Sequence, residues 1–246
     1  MKAITLSFLL ASGGGLAALA GTQPAAPKPA TIPVPAAAKV DVNALLKEVM
    51  KFDLASQSDH MSVAFWAPFE FFQAVGRASA KPEQYAELDK SIEVLKNYQI
   101  FLVRRSYKDD QGLSRVIAAE DLARTAVLIL RDGTERLPLR ELPNEIAGTV
   151  SAFKRGVEAN SQGIEYSTLV FSNKGKAGQW LLSAASKDRV SLRFKAISPM
   201  AESRFTWSTP LDSLSAPQAC PTCRESLPQS WSFCPWDGAR LGGGAK

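Results

Sequence analysis

The sequence predicts an α+β fold, a mixed domain of helices and mainly antiparallel strands, closed by a small C-terminal β-hairpin module that carries every cysteine of the chain. Three observations lead there. Helical and strand-like stretches are interspersed without the regular strand-helix-strand rhythm of a parallel sheet. Hairpin spacing dominates the second half, and Cys220, Cys223 and Cys234 are confined to one short C-terminal stretch. At 246 residues, 46% hydrophobic and 22% charged, the chain has material for one medium core plus an appendage, and its composition is not that of a disordered protein.

The N-terminus comes before any folded element. Lys2 is followed by a charge-free apolar run from Ala3 to Ala20 that closes on Ala18-Leu19-Ala20, the small-x-small form of a signal-peptidase site. Residues 1–20 are therefore expected to be an export signal, cleaved near Ala20, which places the product in the periplasm or outside the cell. Left uncleaved, the same run would serve as an N-terminal membrane anchor, though the glycines at 13–15 weaken it as a spanning helix. No membrane span is expected in the mature chain. Residues 21–40 follow as a linker, where Pro24, Pro27, Pro29, Pro33 and Pro35 oppose helix and central strand and favour an extended polyproline conformation.

The α+β domain is assigned to 41–215. Asp41 is a candidate N-cap for a helix through "DVNALLKEVMKF", with Leu45, Leu46, Val49 and Met50 on its apolar face. "MSVAFW" reads as a strand. Pro68 then suits the first turn of a helix ending near Gly76. Phe65, Trp66, Phe69, Phe71 and Phe72 are the densest aromatic cluster of the chain and are expected to be core. Pro82 opens a further helix, since Tyr85, Leu88, Ile92 and Leu95 recur at helical spacing. "YQIFLVRRSY" and "SRVIAAE" read as strands. "TAVLILRDGTERLPL" reads as a hairpin turning at Asp132-Gly133. A helix is predicted from Pro143 to about Glu158, where Ile146, Val150, Phe153 and Val157 share a side. Strands follow at "IEYSTLVFS", "VSLRFKAI" and "RFTWSTPL".

Charge narrows the function classes. The balance of 29 Lys+Arg against 24 Asp+Glu gives +5, without clustering or interleaved aromatic residues, so no nucleic-acid partner is expected. Arg104, Arg105 and Lys108 beside Asp109 and Asp110 read as a solvated strand end. No Gly-rich phosphate loop, Gly-x-Ser-x-Gly elbow or His-Glu-x-x-His is present, and His60 is the lone histidine, so no catalytic residue is assigned. The leading expectation is an exported non-enzymatic protein. The alternative is an envelope enzyme, a hydrolase or thiol-redox protein, acting in the body or at Cys220.

Residues 216–242 hold the distinctive pattern. "CPTC" at 220–223 and "FCPWDG" at 233–238 give Cys-x2-Cys, ten intervening residues and Cys-x2-Asp, with a proline after the first cysteine of each half. A Cys-Pro-x-Cys turn converges its side chains and aims backbone N–H groups at the sulfurs, which suits a tetrahedral cation. The odd number of cysteines also leaves open a Cys220–Cys223 disulfide with a free thiol. A thioredoxin-like redox pair is disfavoured by Pro228 and the absence of an apolar helical stripe after Cys223.

The two halves resemble the zinc-ribbon family, in particular ribbons built from two rubredoxin-like knuckles. The resemblance covers about a tenth of the chain. It implies structural Zn2+ held at the four knuckle positions, here Cys220, Cys223, Cys234 and, by substitution, Asp237. A protein partner docking through this module is a further expectation. Arg224 stands where the family's first knuckle has glycine, whereas Gly238 keeps the second. Leu227, Trp231, Phe233 and Trp236 are expected to cover the site.

Overall fold

The structure is a computed structural model that describes residues 40–53 and 60–241; the predicted export signal and residues 21–39 of the linker lie outside them. The described chain is an α+β protein. Its helices are α1 (Val42–Val49), α2 (Phe69–Ser79), α3 (Tyr85–Ile92), α4 (Ala119–Thr125) and α5 (Asn144–Asn160). The body's strands are β1 (Met50–Asp53), β2 (His60–Ala67), β3 (Tyr98–Lys108), β4 (Ser114–Val116), β5 (Ala126–Ile129), β6 (Glu135–Arg136), β7 (Ser167–Ser172), β8 (Arg189–Phe194) and β9 (Ser203–Ser208). Two further short strands, β10 (Gln218–Ala219) and β11 (Ser226–Leu227), belong to the C-terminal module.

All pairings are antiparallel. One sheet runs β1-β2-β3, and the far edge of β3 is shared between β7, along Tyr98–Val103, and β4, along Ser106–Lys108. The other runs β6-β5-β8-β9. The register explains how they stack. Trp66 lies opposite Phe101, so both side chains leave the first sheet on one face, and there they meet Trp207 of β9 at centroid distances of 5.8 and 5.6 Å. Phe65, one residue back, points the other way and packs edge-on against Phe71 of α2 and Phe153 of α5. The body is thus three layers: helices, first sheet, second sheet.

This layering accounts for the sequence pattern. The first sheet is covered on both faces, so the second half of β2 is buried without alternation. The second sheet has one solvent face, and β9 alternates accordingly, with Ser203, Phe205 and Trp207 buried between Arg204, Thr206 and Ser208. The aromatic cluster expected as core is core, with Phe65, Trp66, Phe71 and Phe72 buried and Phe69 packed at its margin.

Three local expectations are corrected. The first helix does not run through Phe52. Asp41 caps it through bonds from the N–H groups of Asn43 and Ala44 (2.9 and 3.2 Å), but at Met50 the chain turns extended to pair β1 with β2, Met50 facing Phe65. "SRVIAAE" is strand only to Val116; α4 begins at Ala119 and buries Leu122, its short run offering too few apolar positions to reveal a helical period. The helix predicted from Pro82 is split, with 3-10 turns at Pro82–Gln84 and Glu93–Asn97 flanking α3. The Asp132-Gly133 hairpin is present, Gly133 taking a φ of 82° and Asp132 accepting the N–H of Thr134.

Candidate metal centre

Two turns of matching hydrogen-bond pattern build the C-terminal site. In the first, the N–H of Cys220 donates to the carbonyl of Glu225 (2.8 Å) and the N–H of Arg224 to that of Cys220 (3.0 Å). In the second, Cys234 donates to Ala239 (2.8 Å) and Gly238 to Cys234 (3.0 Å). The fifth residue of each turn has a positive φ, 62° at Arg224 and 71° at Gly238. Prolines suit the second position of each turn because their fixed φ fits and no N–H is needed there. Small antiparallel ladders close both turns, β10 with β11 around the first and a Phe233–Arg240 bridge around the second.

The turns face each other so that one ligand atom from each of Cys220, Cys223, Cys234 and Asp237 lies within 4.8 Å of all the others. Cys223 Sγ is 3.6 Å from Cys234 Sγ, and the Cys220 thiol donates to Asp237 Oδ2 across 3.3 Å. Backbone N–H groups of Thr222 and Cys223 point at Cys220 Sγ from 3.4 and 3.5 Å. Cys220 and Cys234 are buried; Cys223 and Asp237 reach solvent. The three cysteines are free thiols.

The electrostatics favour a cation. The Asp237 carboxyl is held down to about 2, first by the N–H of Ala239, which donates to Oδ1 at 2.8 Å, then, against the cost of burial, by the three thiols. Burial works to raise the Cys220 thiol, yet the N–H groups of Cys223 and Thr222 prevail and its pKa lies below the ordinary range. For Cys223 the Glu225 backbone contact favours the thiolate, but burial and the neighbouring Cys220, Asp237 and Cys234 outweigh it and push the thiol up to about 12. One anionic oxygen and three sulfurs form a donor set that could hold a divalent ion, whose binding would displace the thiol protons.

The module has a small core of its own, Cys220, Leu227, Cys234 and Leu241. This corrects the expected cover: Leu227 is buried, but Trp231, Phe233 and Trp236 are 42%, 60% and 73% exposed. Their short turns leave no second layer to pack against. The module is tied to the body through Asp212, which accepts the N–H and Oγ–H of Ser230 (2.9 and 2.8 Å). The neighbouring Ser213 donates to Glu48 of α1.

Elsewhere the structure separates what the sequence had grouped. His60 is half-buried at the start of β2, opposite Tyr107, and its side chain takes no hydrogen bond or ion pair among the described residues. Arg105 overturns the reading of a solvated strand end: it is 1% exposed, between the sheets, where Nε donates to Ser62 Oγ (3.2 Å), Nη2 to the Ala201 carbonyl (2.6 Å), and the guanidinium lies over the Phe194 ring. Burial lowers its pKa, opposed by the charge of Asp53. The sequence held one signal for this, the inward phase that Arg105 shares with Phe101 and Val103 along β3. A surface hollow of about 410 Å3, lined by Leu130, Arg131, Asp132, Leu181, Lys187 and Asp188, contains none of the candidate residues.

Fold and site together define an α+β protein with a four-donor candidate cation site at its C-terminal end. No family model, curated protein or solved structure matches this chain. No helix among the described residues is long and apolar enough to cross a membrane.

Proposed function

We propose that the C-terminal module is a zinc ribbon whose ion has a structural role, in an exported non-enzymatic protein. The observation that carries this reading is the convergence of three sulfurs and one carboxylate within 4.8 Å on two turns of the same hydrogen-bond pattern. Soft thiolates in a tetrahedral set suit zinc, whose bonds to sulfur are about 2.3 Å and to carboxylate oxygen about 2.0 to 2.2 Å. Three thiolates and a carboxylate leave a net charge of minus two around Zn2+, the same as four thiolates. Two buried thiols and two aliphatic side chains are a small core, so ion binding, of order 10 kcal/mol in small zinc modules, supplies what packing does not. All four positions are taken by protein donors, which supports a structural rather than a catalytic ion. The exposed Trp231, Phe233 and Trp236 make the ribbon the surface for a protein partner. Export rests on the Ala3–Ala20 run and its Ala18-Leu19-Ala20 end.

Metal analysis of the mature protein, purified without chelator, is expected to give close to one zinc per chain. A stoichiometry near zero with an oxidised Cys220–Cys223 bond overturns the ribbon. Asp237 has its own test. Asp237→Cys is expected to tighten zinc binding in competition with a chromophoric chelator, and Asp237→Ala to weaken it. If both variants bind like the parent, the carboxylate is not a ligand.

A further inference from the structure

The four donors are unequal in a way the metal reading does not use. Cys223 reaches solvent, and its Sγ lies 3.6 Å from that of Cys234, a buried thiol on the opposite turn. Cys220 is buried and engaged, facing the N–H groups of Thr222 and Cys223 and the Asp237 carboxylate. An oxidant arriving from solvent therefore meets Cys223 first, and the sulfur placed to resolve the product is that of Cys234.

We propose that Cys223 is an oxidation site at which a hydroperoxide joins the two turns through a Cys223–Cys234 disulfide and releases the ion. The proposal rests on the metal reading, because coordination is what would keep the Cys223 sulfur a thiolate. The Cys223 thiolate attacks a peroxide oxygen, the O–O bond breaks, and one oxygen stays on sulfur as the sulfenic acid while the other leaves as hydroxide. The Cys234 thiolate then attacks Cys223 Sγ. The S–O bond breaks, a second hydroxide leaves, and the sulfurs close from 3.6 Å to about 2.05 Å. The two sulfurs lose two electrons, hydrogen peroxide gains them, and two protons complete two waters. Zinc takes no part in the electron transfer. Cys220 and Asp237, half of the donor set, are all that would remain to hold Zn2+, too few to retain it.

The carboxylate makes this outcome sharper than in a four-thiolate site. With four sulfurs, a first disulfide leaves two thiolates on the ion. Here it leaves one thiolate and an exposed carboxylate, a poor pair for a soft-binding ion. The cross-link also ties the two turns together once the ion has gone.

The test is to treat the zinc-loaded full chain with hydrogen peroxide in the presence of a zinc indicator and to map its tryptic peptides. Cys220 and Cys223 share the peptide that ends at Arg224, and Cys234 lies on Glu225–Arg240. Expected are release of the bound zinc in step with the loss of two free thiols, and a covalent link between these two peptides that fragmentation assigns to Cys223. Cys220→Ser should still form the link, and Cys223→Ser should not. A disulfide confined to the first peptide, a link that survives Cys223→Ser, or zinc retained after the link forms overturns the proposal. Should the untreated chain take up no zinc, the metal reading falls and the oxidation site with it, whereas a zinc-loaded chain that forms no Cys223–Cys234 link overturns the oxidation site alone.

Discussion

Arg224 and Gly238 occupy the same place in two turns of the same pattern, and both have positive φ. For an L-residue with a Cβ that conformation costs about 1 to 2 kcal/mol, which glycine does not incur. Arg224→Gly is therefore expected to raise the stability of the module by on the order of 1 kcal/mol, after glycine's greater unfolded-state freedom offsets part of the relief. Denaturant titration followed by the fluorescence of Trp231 and Trp236 would check it, and an unchanged midpoint would mean that the Arg224 side chain compensates the strain. At this scale the sequence was informative. Spacing picked out the four side chains that the structure brings within 4.8 Å of one another, because a turn of fixed length leaves few ways to arrange its first and fourth side chains. For the burial of Arg105 the sequence held only one weak signal. Two arginines beside two aspartates look solvated whichever face they occupy, and only the inward phase of β3 separates Arg105 from Arg104, which donates to the Glu165 carbonyl.

Tyr98 links residue to element. It opens β3, and its hydroxyl donates to Glu145 in the first turn of α5 at 2.6 Å. Burial, then the Glu145 hydrogen bond and its charge, push the phenol up to about 12 from 10.0. The folded state thus holds this proton where the unfolded chain has begun to lose it, and stability from this group is complete below pH 10 and declines as pH rises toward 12. Tyr98→Phe is expected to flatten that part of the alkaline stability profile, measured by urea midpoints. Among the elements themselves, Phe65 joins three: β2, α2 through Phe71 at 5.2 Å and α5 through Phe153 at 5.3 Å. Phe65→Ala should cost about 3 to 5 kcal/mol, the range for truncating a buried ring, read from the loss of the denaturation midpoint. Long elements with sustained periods were legible in sequence, α5 and β3 above all. The failures came where a short segment takes its conformation from a neighbour. Met50–Asp53 has helical composition, yet becomes strand because β2 offers it a partner, and α4 is too short to display a period.

The whole molecule carries two unequal cores. The body's core runs through both sheets and the helices, whereas the module's consists of Cys220, Leu227, Cys234 and Leu241. The two do not share side chains. A polar contact joins them at the junction, where Asp212 accepts from Ser230, and the neighbouring Ser213 ties that segment of the body to Glu48 of α1. On the proposed zinc reading the ion is the main support of the smaller core, so removing metal should unfold the module and spare the body. A chelator added to the zinc-loaded chain is therefore expected to make the bonds that follow Arg224 and Arg240 trypsin-sensitive. Near-ultraviolet circular dichroism from the buried Trp66 and Trp207, and the main thermal transition, should stay where they were. The body's independence follows from its layers: neither the Trp66–Phe101–Trp207 cluster nor the Phe65–Phe71–Phe153 cluster includes a residue beyond Trp207. A chelator that lowered the main transition as well would show instead that the Asp212–Ser230 contact couples the two cores. Asp212→Ala then separates the possibilities, since it cuts the junction without touching a donor: under independence it leaves both zinc affinity and the main transition unchanged, and under coupling it removes the chelator's effect on the body.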